Sequence, residues 1–150
     1  MIRLAPLLAA DRILDLDRKG KPETLRALCE AVARSGRVSD GEAFRRAIEK
    51  REKIMTTGVG EGIAIPHAKA SCVRAPVLAL GRSIPGVPFN APDGRDVQVA
   101  VMIGAPEKET GAYLQILSRV IALLIDERIR QAILNARDGA AVLSIIASHD

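Results

Sequence analysis

The 150-residue chain has few aromatic residues: Phe44, Phe89 and Tyr113 are the whole set, and tryptophan is missing. Proteins that read single-stranded nucleic acid stack bases on several aromatic side chains, so no nucleic-acid partner is expected. Cysteine is scarce. Cys29 and Cys72 lie far apart without CxxC spacing, which argues against a zinc site and a disulfide scaffold and fits a reducing cytosol. Long apolar runs are missing. The longest uninterrupted one, Val120 to Ile125, falls far short of the ~18–20 residues of a membrane span. The apolar stretch Leu4 to Ala10 contains Pro6 and is followed at once by Asp11 and Arg12. It is at the short limit for a secretory leader, so a cytoplasmic protein with no membrane insertion is expected. Low-complexity segments and internal repeats are missing too. Neither sign of charge dominates: 22 Lys and Arg against 18 Asp and Glu leave +4, spread along the chain. Such an excess suits an acidic partner or an anionic substrate.

Apolar residues make up 48% of the chain, which rules out intrinsic disorder. A chain of this length buries about 68–70% of its unfolded surface, enough for a real core, and residues 1–150 are expected to form one domain. Pro22 to Ser35 reads as a helix, with Leu25, Leu28, Cys29 and Val32 on one face and Gly36 as its stop. Ser39 with Glu42 three residues on is a capping-box pattern, opening a second helix that ends near Lys53 to Met55. The glycines of Thr57-Gly58-Val59-Gly60-Glu61-Gly62 predict a loop. Ile63 to Ile65, stopped by Pro66, reads as a strand, as do Val77 to Leu80 and Val97 to Ile103. The last is apolar almost throughout, as a strand buried on both faces would be. Pro85-Gly86 and Asp93-Gly94 are turn signals. Leu114, Leu117, Val120, Ile121 and Leu124 predict an apolar helical stripe. Asp126 caps a further helix, and Asp138 or Gly139 starts the last. Helices before and after several strands imply an α/β fold, a mixed β-sheet flanked by helices on both sides in three layers.

Only two histidines are present. His149 is next to last and reads as a solvated tail residue. His67 follows Pro66 at the end of a short apolar strand. Pro66 stiffens the backbone that presents the ring, and Lys69 follows two residues on. Spacing alone leaves a strand-ending histidine and a reactive one equally open. Gly58-x-Gly60-x-Gly62 matches neither GxxxxGK[ST] nor GxGxxG and leads into a strand, so it is no nucleotide P-loop or Rossmann turn. It either makes a tight turn or offers amides to an anion. Arg51 could turn inward and hold an oxyanion, whereas Glu52 and Lys53 read as a solvated helix end. No HExxH or other ligand spacing calls for a metal.

As a whole, the run Arg51-Glu52-Lys53-Ile54-Met55-Thr56-Thr57-Gly58-Val59-Gly60-Glu61-Gly62-Ile63-Ala64-Ile65-Pro66-His67-Ala68-Lys69 resembles the active-site segment of enzyme IIA of the bacterial phosphoenolpyruvate:sugar phosphotransferase system, fructose, mannitol and nitrogen-regulatory class. The resemblance extends over nearly the whole chain. It implies a mixed sheet flanked by helices, and a phosphoryl carrier that takes its group from HPr, or the nitrogen-branch counterpart, onto His67. The group then passes to enzyme IIB or serves as a regulatory state. In that reading Arg51 stabilises the phosphoryl group, and Thr57, Gly58, Gly60 and Gly62 form the phosphate loop. Tyr113 and Lys69 belong to a second part of the site. Tyr113 stands where the family commonly has a second histidine, and Ala68 where a glycine often follows the first. No metal or organic cofactor is implied. The alternative is a non-enzymatic IIA-like module that docks a kinase, transporter or regulator. A free-standing domain of this kind resembles the nitrogen-regulatory branch.

Overall fold

The computed structural model describes residues 2–17 and 20–150. Strands β1 (Ile13–Asp15), β2 (Gly58–Gly60), β3 (Ile63–Ala64), β4 (His67–Ala70), β5 (Val77–Val87) and β6 (Val97–Pro106) form one sheet in the order β1-β5-β6-β3-β2, with β4 also paired to β6. The sheet is mixed. β5 runs antiparallel to β6, β1 parallel to β5, β3 and β4 parallel to β6, and β2 antiparallel to β3. As the apolar run Val97 to Ile103 predicts, β6 is central. It continues to Pro106, and only Gln98 and Pro106 along it are not buried.

Alternation along β5 and β6 builds two cores. Leu78, Leu80, Val99, Val101 and Ile103 face α3 (Thr110–Leu124), α4 (Glu127–Asn135) and α5 (Gly139–Ser148). Val77, Ala79, Ala100 and Met102 face α1 (Lys21–Ala33) and α2 (Gly41–Ile54), where Phe44 is fully buried. Side-chain direction reverses at each strand residue, so one sheet with two apolar faces requires helices on both. The result is the expected three-layer α/β architecture.

Caps fix the helix starts. Asp126 accepts from the Arg128 amide and Asp138 from the Ala141 amide, each satisfying a donor the helix cannot. At α2 the cap is Asp40, which accepts from the Ala43 amide, and not the expected Ser39. The Ser39 hydroxyl donates instead to the Cys72 carbonyl. The stripe expected on α3 also divides. Tyr113, Ile116, Val120 and Leu124 are buried, whereas Leu114 and Ile121 point to solvent.

The glycine segment departs from the predicted loop. Gly58–Gly60 is a strand, and Gly60, Glu61 and Gly62 turn through positive φ into β3. Glycine enters that region without steric cost; Glu61, the exception, is held by its amide donating to Asp93 Oδ2 at 2.9 Å. Pro85-Gly86 lies within β5, at the register shift between Arg82 and Val87, an irregularity within a strand where a turn was expected. Pro66 does not end the extended chain. Its carbonyl accepts from the Ile103 amide, and β4 resumes at His67, paired with Ile103. Pro66 lacks only a donor; its acceptor still joins the ladder.

Candidate functional site

His67 opens β4, which among the described residues pairs only with β6, so an open sheet edge lies beside it. Two layers meet at that edge: the C-terminal part of α2 and the first turn of α3. Ala47, Lys50, Arg51, Ile54, His67, Ala68, Lys69 and Tyr113 line a shallow pocket of about 400 Å³ there. Positions 47, 50, 51 and 54 share one face of α2 by helical spacing.

The ring of His67 is fixed by its own backbone. Nδ1 lies 2.7 Å from the carbonyl oxygen of Ile65. A carbonyl can only accept, so Nδ1 carries the proton and the Nε2 lone pair is free. Nε2 has no hydrogen-bond partner among the described residues. Partial burial is the main force lowering the imidazole's pKa below the ordinary histidine value. The Ile65 carbonyl opposes it, Arg51 adds to it, and Glu52 opposes it. The neutral, nucleophilic form is therefore favoured at neutral pH.

Around the ring the pocket is cationic: among the described residues Lys50, Arg51 and Lys69 line it, and no carboxylate does. Arg51 donates from Nη1 to the Met55 carbonyl at 3.1 Å, so part of its fork is already oriented. Lys69 Nζ donates to Thr110 Oγ1 at 3.2 Å and lies 5.6 Å from the centre of the Tyr113 ring. Tyr113 lies 5.5 Å from His67, ring centre to ring centre. Its phenol pKa is raised by burial, with Arg51 pulling the other way, so it stays an O–H donor through the neutral range. Histidine nucleophile, guanidinium, ammonium and phenol together suit a phosphoryl group in transit. Such a group carries charge on its equatorial oxygens and asks for donors and in-line placement.

The structure thus brings His67, Arg51, Lys69 and Tyr113 together. It does not bring the glycines to the pocket wall. Gly58 packs on Ala91 and Phe89, Gly60 on Asp93, and Gly62 beside Asp96 and Gln98. The Gly58 amide donates to the Thr56 hydroxyl, so it is not free for an anion. Thr57 is buried, and both its amide and hydroxyl donate to Glu52. Glu52 corrects the sequence reading. It is not a solvated helix end but a buried carboxylate paired with Lys21 at 2.9 Å; the rest of its shell is in Thr57, beyond the helix's end. Lys50 and Ile54 were also missed. Their spacing from Arg51 on α2 was the available signal. No cluster of three or more His, Cys, Asp or Glu side chains that could hold a metal occurs among the described residues, and no described helix is long and apolar enough to cross a membrane.

Known proteins share this fold and much of this sequence. The chain is 38% identical over 137 residues to the PTS system fructose-specific EIIABC component of Bacillus subtilis, covering 91% of this chain and 22% of that protein. It therefore spans about a fifth of that relative's length. The crystal structure of nitrogen regulatory protein IIA-Ntr from Neisseria meningitidis superposes with a TM-score of 0.88 at 26% identity, over 95% of this chain and 98% of that one. The IIA mannitol enzyme of Escherichia coli, solved in complex with phosphorylated IIB, superposes with a TM-score of 0.79 at 26% identity, over 95% and 99%. The family model for the phosphoenolpyruvate-dependent sugar phosphotransferase system, EIIA 2, matches residues 7–149. With a family model matched over residues 7–149 and a shared fold, this chain belongs to the EIIA 2 family of that phosphotransferase system.

Proposed function

We propose that this chain is a cytoplasmic phosphoryl carrier that accepts its group on His67 Nε2 from the phosphohistidine of HPr or its nitrogen-branch counterpart. It then gives the group to a cysteine of a IIB partner. The observation that carries the reading is the bond from His67 Nδ1 to the Ile65 carbonyl in a pocket with three cations and no acid. The Nε2 lone pair attacks phosphorus. A new N–P bond forms as the donor's N–P bond breaks, and the electron pair of that bond returns to the donor imidazole. Positive charge builds on the His67 ring during attack, and the Ile65 carbonyl at Nδ1–H offsets it. Arg51 and Lys69 disfavour an empty imidazolium but favour the arriving phosphoryl oxygens. They are thus worth more in the transition state than before it. Tyr113 adds a neutral donor. Ile54, which lines the pocket, and the exposed Met55 and Leu114 next in sequence to Ile54 and Tyr113 form the apolar rim on which a partner excludes water.

The test is intact mass after incubation with phosphoenolpyruvate, enzyme I and HPr, beside His67→Ala. One acid-labile phosphoryl group on the parent and none on the variant is expected. A folded parent that gains no mass beside a working carrier overturns the reading. Adding a IIB domain then identifies the recipient: loss of mass from the carrier marks transfer, and retention marks a regulatory end state.

A further inference from the structure

The mechanism above leaves a buried carboxylate unused. Glu52 is the last acidic residue of α2, with a side chain only 6% exposed. A buried carboxylate is costly unless fully satisfied, and this one is. It receives Lys21 Nζ at 2.9 Å, the Thr57 amide at 2.8 Å and the Thr57 hydroxyl at 2.6 Å. Thr57 does not stop there. Its carbonyl accepts from the Ile65 amide at 3.0 Å, and the Ile65 carbonyl accepts from His67 Nδ1 at 2.7 Å. Thr57 and Ile65 are both buried, so water does not replace these links. Lys21 is anchored in turn, its ammonium 5.0 Å from the Phe89 ring centre and 3.5 Å from the Phe89 carbonyl. The Thr56 hydroxyl donates to that same carbonyl.

We infer that Glu52 is a positioning residue for His67: clamped by Lys21, its carboxylate fixes Thr57, Thr57 fixes Ile65, and the Ile65 carbonyl selects the imidazole tautomer that leaves Nε2 free to attack. The inference rests on the phosphoryl-carrier reading for its purpose but not for its geometry. Three features set this network apart from an ordinary structural ion pair. It ends on the nucleophile's own proton. It fixes the helix end next to Arg51, so acceptor and guanidinium are referred to one buried point. Its acceptor is a carboxylate, which takes three donors without needing one of its own, whereas a neutral amide there would set an N–H against Thr57 or Lys21.

The test compares Glu52→Gln and Lys21→Met with the parent by 15N NMR of the histidine ring at pH 8, where the ring is neutral. Transfer kinetics from phospho-HPr are measured alongside. The parent is expected to show His67 as a single Nδ1–H tautomer. Glu52→Gln is expected to show mixed tautomers and a kcat lowered by about ten- to a hundredfold from misplacement of the acceptor, with KM for the carrier within about twofold of the parent because the docking rim is untouched. Lys21→Met leaves the carboxylate short of one donor and is expected to shift in the same direction by less. A folded Glu52→Gln that keeps a single Nδ1–H tautomer and the parent's kcat overturns the inference. If that variant does not fold, Lys21→Met decides alone, since Lys21 is partly exposed; an unchanged tautomer there overturns it equally. The tautomer readout needs no phosphoryl donor, so failure of this inference and failure of the carrier reading are distinguishable.

Discussion

The imidazole of His67 and the phenol of Tyr113 face each other at 5.5 Å between ring centres, tilted by 46°. The phenol lines the same pocket as His67 and stays an uncharged O–H donor in the neutral range. Tyr113→Phe removes only the hydroxyl. A hydrogen bond to a charged group is worth about 1.5–3 kcal/mol, so single-turnover phosphorylation of Tyr113→Phe is expected to slow about tenfold or more with folding unchanged. Tyr113→His is expected to restore part of the rate, since an imidazole N–H is also a donor. Equal rates for parent and Tyr113→Phe across the pH range remove Tyr113 from the site.

The depressed pKa of His67 gives a pH dependence with a definite sign. An unfolded histidine takes its proton near pH 6.5, while burial makes the folded ring take it only at lower pH. Between those two values the unfolded chain binds more protons. Stability contributed by His67 therefore rises with pH through the window, is complete above about 6.5, and is lost as pH falls. Nucleophilicity follows the same sense, because only the neutral ring attacks. An NMR titration is expected to place the His67 midpoint below about 6.5, the value of an unfolded histidine. A midpoint above it contradicts the burial argument.

How far the sequence could be read depended on the range of the interaction. Caps and periodicity are local, and Asp126, Asp138 and the buried face of α1 follow from a few neighbouring residues. The strand at Val97 to Ile103 was legible because a central strand has two apolar faces. The resemblance singled out His67 and Arg51, and the fold brings the two to one pocket. The losses were non-local. β4 was hidden because Pro66 reads as a strand stop, and only the partner β6 shows that its carbonyl is used. The resemblance implied a phosphate loop at Gly58, Gly60 and Gly62, where spacing alone left a tight turn or an anion site open. Asp93, 32 residues after Glu61, takes one of those loop amides. Glu52 looked solvated in a run of charges because Lys21 lies 31 positions earlier in the chain. Leu114 and Ile121 fitted an apolar stripe by period, yet α3 turns them outward.

The outward apolar residues lead to a prediction about docking. Ile54 is 75% exposed, Met55 66% and Leu114 54%, and Ile54 also lines the pocket. Ile54→Glu places a charge where a partner would expel water. KM for the phosphocarrier is expected to rise about tenfold or more, the scale of an interface residue costing over 1 kcal/mol. Phosphorylation by a small donor such as phosphoramidate is expected to stay at the parent's rate. Loss of both activities together would place Ile54 in the chemistry instead, and loss of neither would show that partners dock elsewhere.

Packing beneath the site sets the last expectation. Gly104 lies on β6 opposite Ala68 and Val77, directly under the fully buried Phe44 of α2. A Cβ at 104 would lie 3.1 Å from Phe44 Cε1 and 3.2 Å from Val77 Cγ1, closer than carbon atoms sit at their optimum. The Phe44 ring is enclosed and has little room to retreat, so the helix itself must lift, and that helix carries Arg51 and Glu52 toward its C-terminal end. Gly104→Ala is expected to lose about 1–3 kcal/mol in chemical denaturation, the usual cost of overpacking. It is also expected to slow phosphoryl transfer, since Arg51 moves relative to His67 on the neighbouring strand. Gly111→Ala, where an added Cβ meets nothing within 4 Å, is the matched control and is expected to change neither quantity for the worse. A Gly104→Ala protein as stable as the parent would mean that α2 sits on the sheet loosely enough to absorb a methyl group. Slowed transfer without lost stability would mean instead that the site is more sensitive to the height of α2 than the core is.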